Sequence, residues 1–249
     1  MPSKAQRLAA RLWHASARCA LLTLCLWPAV AVSDVIARAE YAGPTDRYAH
    51  GVLGDAIEHE TLVLTLENGE VRQFTLPRSS VFEDTAPRLA DLDRDGAPEV
   101  IVVESDASLG ARLSIYNDQG FLTATPYIGT RFRWLAPLGA ADLDRDGHIE
   151  IAFVDRPHLA KTLRIWRFED GTLTQIAKRP GLTNHRIGER DIAGGIRECG
   201  QGPEMILADA GWSSLLALRM EGSDITASVL SDDTSRASFA RAMDCADTP

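Results

Sequence analysis

The sequence predicts an all-β fold, a β-propeller-like array of about four repeats of roughly 50 residues that is four- or five-bladed or incomplete. Two nearly identical acidic segments begin at positions 90 and 141, which lie 51 residues apart, and each runs into an apolar stretch. Turn sequences rich in Asn, Asp and Gly follow each stretch, as β-hairpins require. The sequence has no sustained helical periodicity, and residues 238–245 are the best candidate for a short helix.

The repeat is clearest in four largely apolar segments, each of which ends in an acid. Their starts, at positions 50, 99, 150 and 204, are separated by 49, 51 and 54 residues. Apolar residues run through them without alternation, which indicates strands that are covered on both faces. Neighbouring blades of a β-propeller provide such an environment, and about 50 residues suffice for one four-stranded blade. We therefore expect strands at residues 50–55, 99–104, 150–155 and 204–209.

The two acidic segments carry the residues best suited to binding a metal ion. In each, three Asp occupy alternate positions, a Gly permits a sharp bend, and a Glu follows three residues later. An all-oxygen set of this kind suits calcium better than zinc. An EF-hand would need Glu at loop position twelve, where Val102 and Phe153 stand. The alternative is a pair of Asp-rich turns that bind no metal. The expected ligands are Asp91, Asp93, Asp95 and Glu99 in the first segment and Asp142, Asp144, Asp146 and Glu150 in the second.

The pattern Asp-x-Asp-x-Asp-Gly-x-x-acid before a buried strand resembles the FG-GAP/VCBS repeats of integrin α-subunit propellers and many secreted bacterial proteins. The resemblance covers about residues 36–235 and is most specific in the second and third units. It implies a β-propeller with two calcium ions in the loops, held by the eight acids named above. The family usually closes the loop with Asp, where this chain has Glu. The fourth unit lacks the Asp triplet, so we expect no calcium there.

Residues 1–31 have the pattern of a secretory signal peptide. Four basic residues precede any acid, an apolar run extends over residues 19–31, and Ala29-Val30-Ala31 resembles a cleavage site. The run is shorter than the roughly 20 apolar residues of a membrane span, so no stable membrane insertion is expected after cleavage. The sequence therefore predicts a repeat domain over residues 32–249, exported to a periplasm or to the cell exterior.

Charge and cysteine content agree with an exported protein. The formal net charge is −9, and removal of the basic N-terminal segment makes it more negative. Such a surface argues against nucleic acid and anionic membranes as partners. Only Cys199 and Cys245 remain after residue 31. In an oxidising compartment we expect them to form a disulfide, and the alternative is two free buried thiols.

The sequence contains no known nucleophile, zinc-protease or phosphate-loop motif of catalytic sites. The histidines from residue 50 onward are scattered without ligand spacing, and the tryptophans are interpreted as packing residues. The acids that end the four segments would converge around one axis in a closed ring and form a ligand site. The alternative, which we favour, is that each acid caps its own strand end. These acids are Asp55, Glu104, Asp155 and Asp209.

The function that follows is an exported calcium-binding propeller that acts as a binding or adhesion module for an unknown protein or glycan. One alternative is a secreted hydrolase or lyase that uses carboxylates on the propeller face, which would require two acids with raised pKa in a deep pocket. A second alternative is a structural subunit of an envelope assembly, which an exposed apolar edge would favour.

Overall fold

The computed structural model describes residues 34–246, which lie in one compact unit. The predicted signal peptide therefore falls outside the described residues. Within residues 34–246 the chain forms 17 β-strands and one short α-helix, α1 (Arg236–Met243). This confirms the predicted all-β, propeller-like class and places the short helix close to residues 238–245. Among these residues, no helix is long and apolar enough to cross a membrane.

The strands fall into four successive antiparallel units. The first contains β1 (Ile36–Thr45), β2 (Glu58–Leu66) and β3 (Val71–Thr75). The second contains β4 (Ser80–Phe82), β5 (Arg88–Ala90), β6 (Glu99–Asp106), β7 (Gly110–Asn117) and β8 (Gly120–Ala124). The third contains β9 (Leu135–Ala141), β10 (Ile149–Asp155), β11 (Thr162–Glu169) and β12 (Thr172–Pro180). The fourth contains β13 (Leu182–Thr183), β14 (Gly195–Glu198), β15 (Pro203–Asp209), β16 (Leu215–Glu221) and β17 (Asp224–Ser231).

The second, third and fourth units share one topology. In the third, β9, β10, β11 and β12 pair in order as a four-stranded antiparallel blade. In the second, the position of β9 is divided between β4 and β5, which both pair with β6. The fourth unit is divided in the same way, because β13 and β14 both pair with β15. A single pair, His59 opposite Phe82, joins the first and second units into one sheet.

The first unit differs from the prediction. Residues 50–55, expected to form a strand, lie in the loop between β1 and β2. Gly51 and Gly54 take φ values of 68° and 93° there, a left-handed conformation that does not continue a β-strand. Asp55 is therefore a loop residue, and the strand that pairs with β2 is the earlier β1.

The long central strands are buried on both faces, as expected. Alternate residues of β6 face different cores, with Val100 and Val102 in the core shared with β2 and Ile101 and Val103 in the core shared with the third unit. Strand β10 repeats this arrangement between the second and fourth units. An unbroken apolar sequence is thus required, since both faces of each strand meet a neighbouring unit.

The C-terminal helix and one loop contact complete the array. Ser235 caps α1 by accepting a hydrogen bond from the Ser238 amide, and Phe239 packs against the fourth unit. At the other side, the Gly188 amide donates to the carbonyl of Val52 at 3.1 Å. The loop of the first unit therefore reaches the loop that precedes β14 in the fourth unit.

Candidate metal centres in two repeated loops

The two acidic segments form equivalent loops at the entrance to a central strand. Loop 1 (residues 91–99) connects β5 to β6, and loop 2 (residues 142–150) connects β9 to β10. The same two positions of each loop adopt positive φ, at 63° and 92° in loop 1 and at 63° and 100° in loop 2. The residues at these positions are Arg94 and Gly96 in loop 1 and Arg145 and Gly147 in loop 2.

Backbone amides hold the acids of loop 1 in place. Oδ2 of Asp91 accepts a hydrogen bond from the amide of Gly96 at 3.1 Å. Oε2 of Glu99, which is buried at the start of β6, accepts from the amide of Leu92 at 2.9 Å. These bonds fix one oxygen of each carboxylate against the loop and leave the second oxygen of each for another partner.

Loop 2 repeats both bonds. The Gly147 amide donates to Oδ2 of Asp142 at 3.2 Å, and the Leu143 amide donates to Oε2 of Glu150 at 2.8 Å. The equivalent atoms are used in both loops, so the sequence repeat corresponds to a repeat in hydrogen bonding.

Each loop retains one buried carboxylate oxygen without a partner. Oδ1 of Asp91 and Oδ1 of Asp142 are buried and have no hydrogen-bond partner within residues 34–246. An unsatisfied buried acceptor costs about 1–3 kcal/mol, and more when it is charged. A cation bound at this position would remove that cost in either loop, because it would supply the missing interaction.

The acids of each loop lie close enough to share one ion. Three ligand oxygens lie within 4.8 Å of one another in each loop. Asp95 and Glu150, which were also expected to be ligands, lie outside these groups of three. The groups are Asp91, Asp93 and Glu99 in loop 1 and Asp142, Asp144 and Asp146 in loop 2.

Arg167 explains why the two loops differ. It lies on β11 opposite Glu150, and its Nε donates to Oε1 of that residue at 2.8 Å. Its guanidinium also pairs with Asp144 at 3.0 Å and with Asp146 at 2.7 Å. In the second unit Tyr116 lies opposite Val100, so the corresponding position of β7 is that of Asn117, whose Oδ1 accepts from the Gln119 amide at 2.9 Å. Loop 2 thus already contains a cationic side chain, whereas the corresponding residue of the second unit is neutral.

The electrostatics of the closing acids agree with this difference. Burial, reinforced by the charges of Asp93 and Asp95, raises the pKa of Glu99 to about 7 despite the hydrogen bond from the Leu92 amide. Burial also raises the pKa of Glu150, but there the guanidinium of Arg167 opposes the rise. Among the described residues, no ion pair balances the acids of loop 1, whereas Arg167 pairs with three acids of loop 2, and crowded unbalanced carboxylates favour a divalent cation.

The fourth unit has no acidic triplet in its loop, and two arginines on neighbouring strands pair with its closing acid, Glu204. Arg197 and Arg219 each pair with Glu204 at 2.8 Å. Burial alone would raise the pKa of Glu204, but the hydrogen bonds from both arginines outweigh it and lower the pKa. At this position the negative charge is balanced by protein side chains.

A disulfide joins Cys199 to Cys245, as predicted, with a Cα–Cα distance of 5.7 Å. It connects the loop before β15 to Cys245, two residues after the end of α1. The crosslink therefore holds the C-terminal helix against the fourth unit, next to the position that loops 1 and 2 occupy in their own units.

The four acids considered as a ligand ring have partners within their own units. Oε2 of Glu104 accepts from Nε of Arg112 at 2.8 Å, and Oε1 accepts from the Tyr116 hydroxyl at 2.6 Å. Asp155 pairs with Arg156 at 2.7 Å and with Arg164 at 2.8 Å. Both buried acids are thus engaged in ion pairs.

The two remaining acids of this set cap turns. Oδ1 of Asp209 accepts from the amides of Ser213 and Ser214 at 2.6 and 2.7 Å. Asp55, an exposed loop residue, accepts from the Ile57 amide at 3.0 Å. These contacts are the ones expected if each acid caps its own strand end or turn instead of contributing to a shared ligand site.

A cluster of histidines was not predicted from the sequence. His158 and His185, treated as scattered residues, are bonded through Nε2 and Nδ1 at 2.9 Å. Both rings contact Trp134, and His50 lines the same pocket as His158 and Trp134. No local spacing signals this cluster, since its members come from loops of three different units.

The fold and loops together define an all-β repeat protein with acidic loops at the entrance to its central strands. Residues 91–153 match the family model described as an FG-GAP-like repeat. The match runs from loop 1 through loop 2 into β10, and it confirms the resemblance on these residues. The chain therefore carries an FG-GAP-like repeat. A comparison with curated proteins found no match.

Proposed function

We propose that this chain is an exported, calcium-binding propeller-like interaction module. The observation that carries the proposal is the buried carboxylate oxygen without a partner at the same position of both loops, Oδ1 of Asp91 and Oδ1 of Asp142. If these Asp side chains only stabilised a turn, a buried oxygen without a partner would not be expected at the same position of both loops. The match to an FG-GAP-like repeat supports the interaction role.

The donor set of loop 1 fits calcium. It consists of carboxylate oxygens, which are hard ligands, and includes no His or Cys, the ligands that favour zinc. Asp91, Asp93 and Glu99 would hold the ion, and backbone amides already fix Oδ2 of Asp91 and Oε2 of Glu99, which leaves the other oxygen of each for the ion. A bound calcium ion neutralises the crowded acids and stabilises the connection between β5 and β6.

Loop 2 would bind calcium more weakly than loop 1. Arg167 contacts Asp144, Asp146 and Glu150, so a cation that enters must compete with its guanidinium. The two loops thus form a pair of sites of unequal affinity, and the difference is encoded by Arg167 and Asn117 at corresponding positions of β11 and β7.

The proposed location is a periplasm or the cell exterior. The disulfide between Cys199 and Cys245 is the kind of crosslink that persists in oxidising compartments, and millimolar calcium is typical of extracellular sites. The proposed partner is a protein or a glycan that recognises the calcium-stabilised array.

Calorimetric titration with calcium and with magnesium tests the proposal. We expect two calcium sites of unequal affinity in the unaltered protein and weak magnesium binding, because Mg²⁺ demands stricter octahedral geometry. Asp93→Asn should remove the tighter site and Asp144→Asn the weaker one. Exposed Asp224→Asn, which lies outside both loops, is the matched control. If calcium produces no saturable heat, or if Asp224→Asn changes it as much as Asp93→Asn, the proposal is wrong.

A further inference from the structure

A second site lies at the opposite end of the central strands from the acidic loops. Strand β10 begins next to loop 2 and ends at Asp155, and the next residue, Arg156, lines a cavity of about 230 Å³. We call this cavity the His–Trp pocket and define it by His50, Phe132, Arg133, Trp134, Arg156 and His158. The exposed side chains of Leu159 and Ile187 complete its lining.

One wall of the pocket presents a histidine oriented by a buried carboxylate. Nδ1 of His50 lies 2.6 Å from Oε1 of Glu83, which is fully buried. The Ser105 hydroxyl donates to the other oxygen of Glu83. Because a carboxylate accepts, Nδ1 of His50 donates to Glu83, and this bond fixes the orientation of the ring. His50 therefore lines the pocket as a polar ring held in one orientation.

A chain of hydrogen bonds sets the tautomer of the second histidine. Nε2 of His185 lies 2.9 Å from the Glu189 carbonyl, which only accepts, so this nitrogen carries the proton. Nδ1 of His185 then accepts from Nε2 of His158 at 2.9 Å. Burial lowers the pKa of His158 to about 4 and keeps the ring neutral. Nδ1 of His158 is thus an acceptor.

The pocket contains two arginines, and the charge of one of them, Arg133, is not balanced. The other, Arg156, is paired with Asp155 through two hydrogen bonds of 2.7 and 3.0 Å. Arg133 donates one hydrogen bond, to the Phe132 carbonyl at 2.9 Å, and forms no ion pair within the described chain. In a protein of net charge −9, an unpaired guanidinium next to a cavity favours an anionic ligand.

The aromatic walls are held in position before any ligand binds. The Phe132 amide donates to the Tyr48 hydroxyl at 3.0 Å, and the Phe132 ring stacks on His50 at 5.1 Å. Nε1 of Trp134 donates to the Glu83 carbonyl at 2.8 Å. Phe132 and Arg156 have positive φ values of 55° and 45°, and such strained non-glycine positions are concentrated at functional sites.

A transition metal fits the pocket less well than an organic anion. Within residues 34–246, the groups of three potential ligands that lie close together are those of loops 1 and 2, and neither includes a histidine of the pocket. Arg133 and Arg156 would repel a cation. The volume is below the roughly 300–1,000 Å³ of drug-sized sites, so it suits a ligand with a single ring.

We propose that the His–Trp pocket binds a small hydroxylated aromatic monocarboxylate. Arg133 pairs with the carboxylate, and Phe132 and Trp134 line the part of the cavity that takes the ring. The hydroxyl group donates to Nδ1 of His158 or forms a hydrogen bond with Nε2 of His50. The ligand thus combines one negative charge, one ring and one donor, and each feature corresponds to a separate group of the pocket.

Calorimetric titration with three matched ligands tests this assignment. We use 4-hydroxybenzoate, benzoate, which lacks the hydroxyl, and 4-hydroxybenzyl alcohol, which lacks the charge. Loss of the charge should weaken binding roughly tenfold or more, and loss of the hydroxyl roughly threefold to tenfold. Absence of binding at about 10 mM 4-hydroxybenzoate, a concentration that reveals even very weak ligands, would overturn the proposal. Equal affinity for the neutral alcohol would overturn it as well.

Variants separate the pocket from general effects. Arg133→Gln should weaken 4-hydroxybenzoate binding roughly tenfold, and Arg133→Lys should retain part of it. Arg78→Gln, an exposed position outside the pocket, should change nothing. His50→Gln should reduce the preference for 4-hydroxybenzoate over benzoate, with folding checked by near-UV circular dichroism. Stoichiometric zinc binding that requires both His50 and His158, or unchanged binding in Arg133→Gln, contradicts the proposal.

Discussion

Arg94 of loop 1 donates a hydrogen bond from Nη2 to Oδ2 of Asp142, the first acid of loop 2, at 2.8 Å. The equivalent residue of loop 2, Arg145, donates to the carbonyl of Gln201, which follows the disulfide-bonded Cys199 by two residues. Each loop thus uses the same left-handed position to contact the next unit. The two candidate metal centres and the disulfide are thereby linked in one row.

The link from Arg94 should act on calcium affinity more than on stability. Its ion pair with Asp142 is half exposed, and such pairs contribute about 0–1 kcal/mol. In an Asp93→Asn background, where only loop 2 binds calcium, Arg94→Gln should raise the affinity roughly threefold, because Asp142 loses a competing cation. Calorimetry measures the affinity, and a thermal scan measures stability. A lower affinity after the change would show that Arg94 supports the site.

Arg167 should limit calcium binding at loop 2. In the Asp93→Asn background, Arg167→Gln should raise affinity roughly tenfold, since three acids are released from the guanidinium. Without calcium, the variant should lose about 2 kcal/mol of stability, because the buried carboxylate of Glu150 loses its partner. Asn117→Gln, in the corresponding strand of the second unit, is the control. An affinity that drops in Arg167→Gln would show that the guanidinium organises the loop for calcium.

A buried acid outside the loops should make stability depend on pH. Burial, followed by the charges of Glu83, Asp55 and Asp84, raises the pKa of Glu58 to about 9. The folded state then holds a proton that the unfolded state releases above its ordinary value of about 4.5, so stability declines as pH rises between these values. Glu58→Gln should match the unaltered protein near pH 4.5.

At pH 8 the same variant should be more stable by at least about 1 kcal/mol, or roughly 2–4 °C in Tm for a domain of this size. Thermal scans across the pH range measure this difference. Glu60→Gln, on the same strand but half-exposed, is the control. Parallel curves for Glu58→Gln and the unaltered protein would show that Glu58 is ionised when folded.

The disulfide should contribute substantially to stability. It closes a loop with a sequence separation of 46 residues, for which the chain-entropy model gives an upper figure of ~4 kcal/mol. Cys199→Ser with Cys245→Ser should lower the denaturation midpoint, and a reductant should lower the midpoint of the unaltered protein only. Equal midpoints for the two proteins in urea would show that the packing of Phe239 and the polar contacts of Arg197 and Arg236 hold α1 in place without the crosslink.

The features that could be predicted from the sequence are local ones. The spacing of acids and Gly in loops 1 and 2 predicts both the turn and its neighbouring acids, because every group lies within nine residues. The unbroken apolar run of β6 likewise predicts a strand buried on both faces. The strand predicted at residues 50–55 was wrong. It was inferred by aligning these residues with the repeat, but two of the six are glycines that bend the chain.

The features that could not be predicted depend on distant pairing. Arg167 reaches loop 2 because β11 pairs with β10 in a particular register, which no spacing rule in the sequence gives. The His–Trp pocket brings together His50 and His158, which are separated by more than 100 residues. Its orienting carboxylate, Glu83, comes from a different unit and is recognisable only from its hydrogen bond to His50.

The most direct test of the account is thermal unfolding in millimolar calcium and in excess chelator. The proteins compared are the unaltered one, Asp93→Ala with Asp144→Ala, and the charge-matched control Asp224→Ala with Asp232→Ala. At calcium about ten times Kd, each site should add ~1.4 kcal/mol, or roughly 3–6 °C in Tm per occupied site. We expect this rise in the unaltered protein and the control, and its loss in the loop variant. Equal Tm values of the unaltered protein in both buffers would contradict the account.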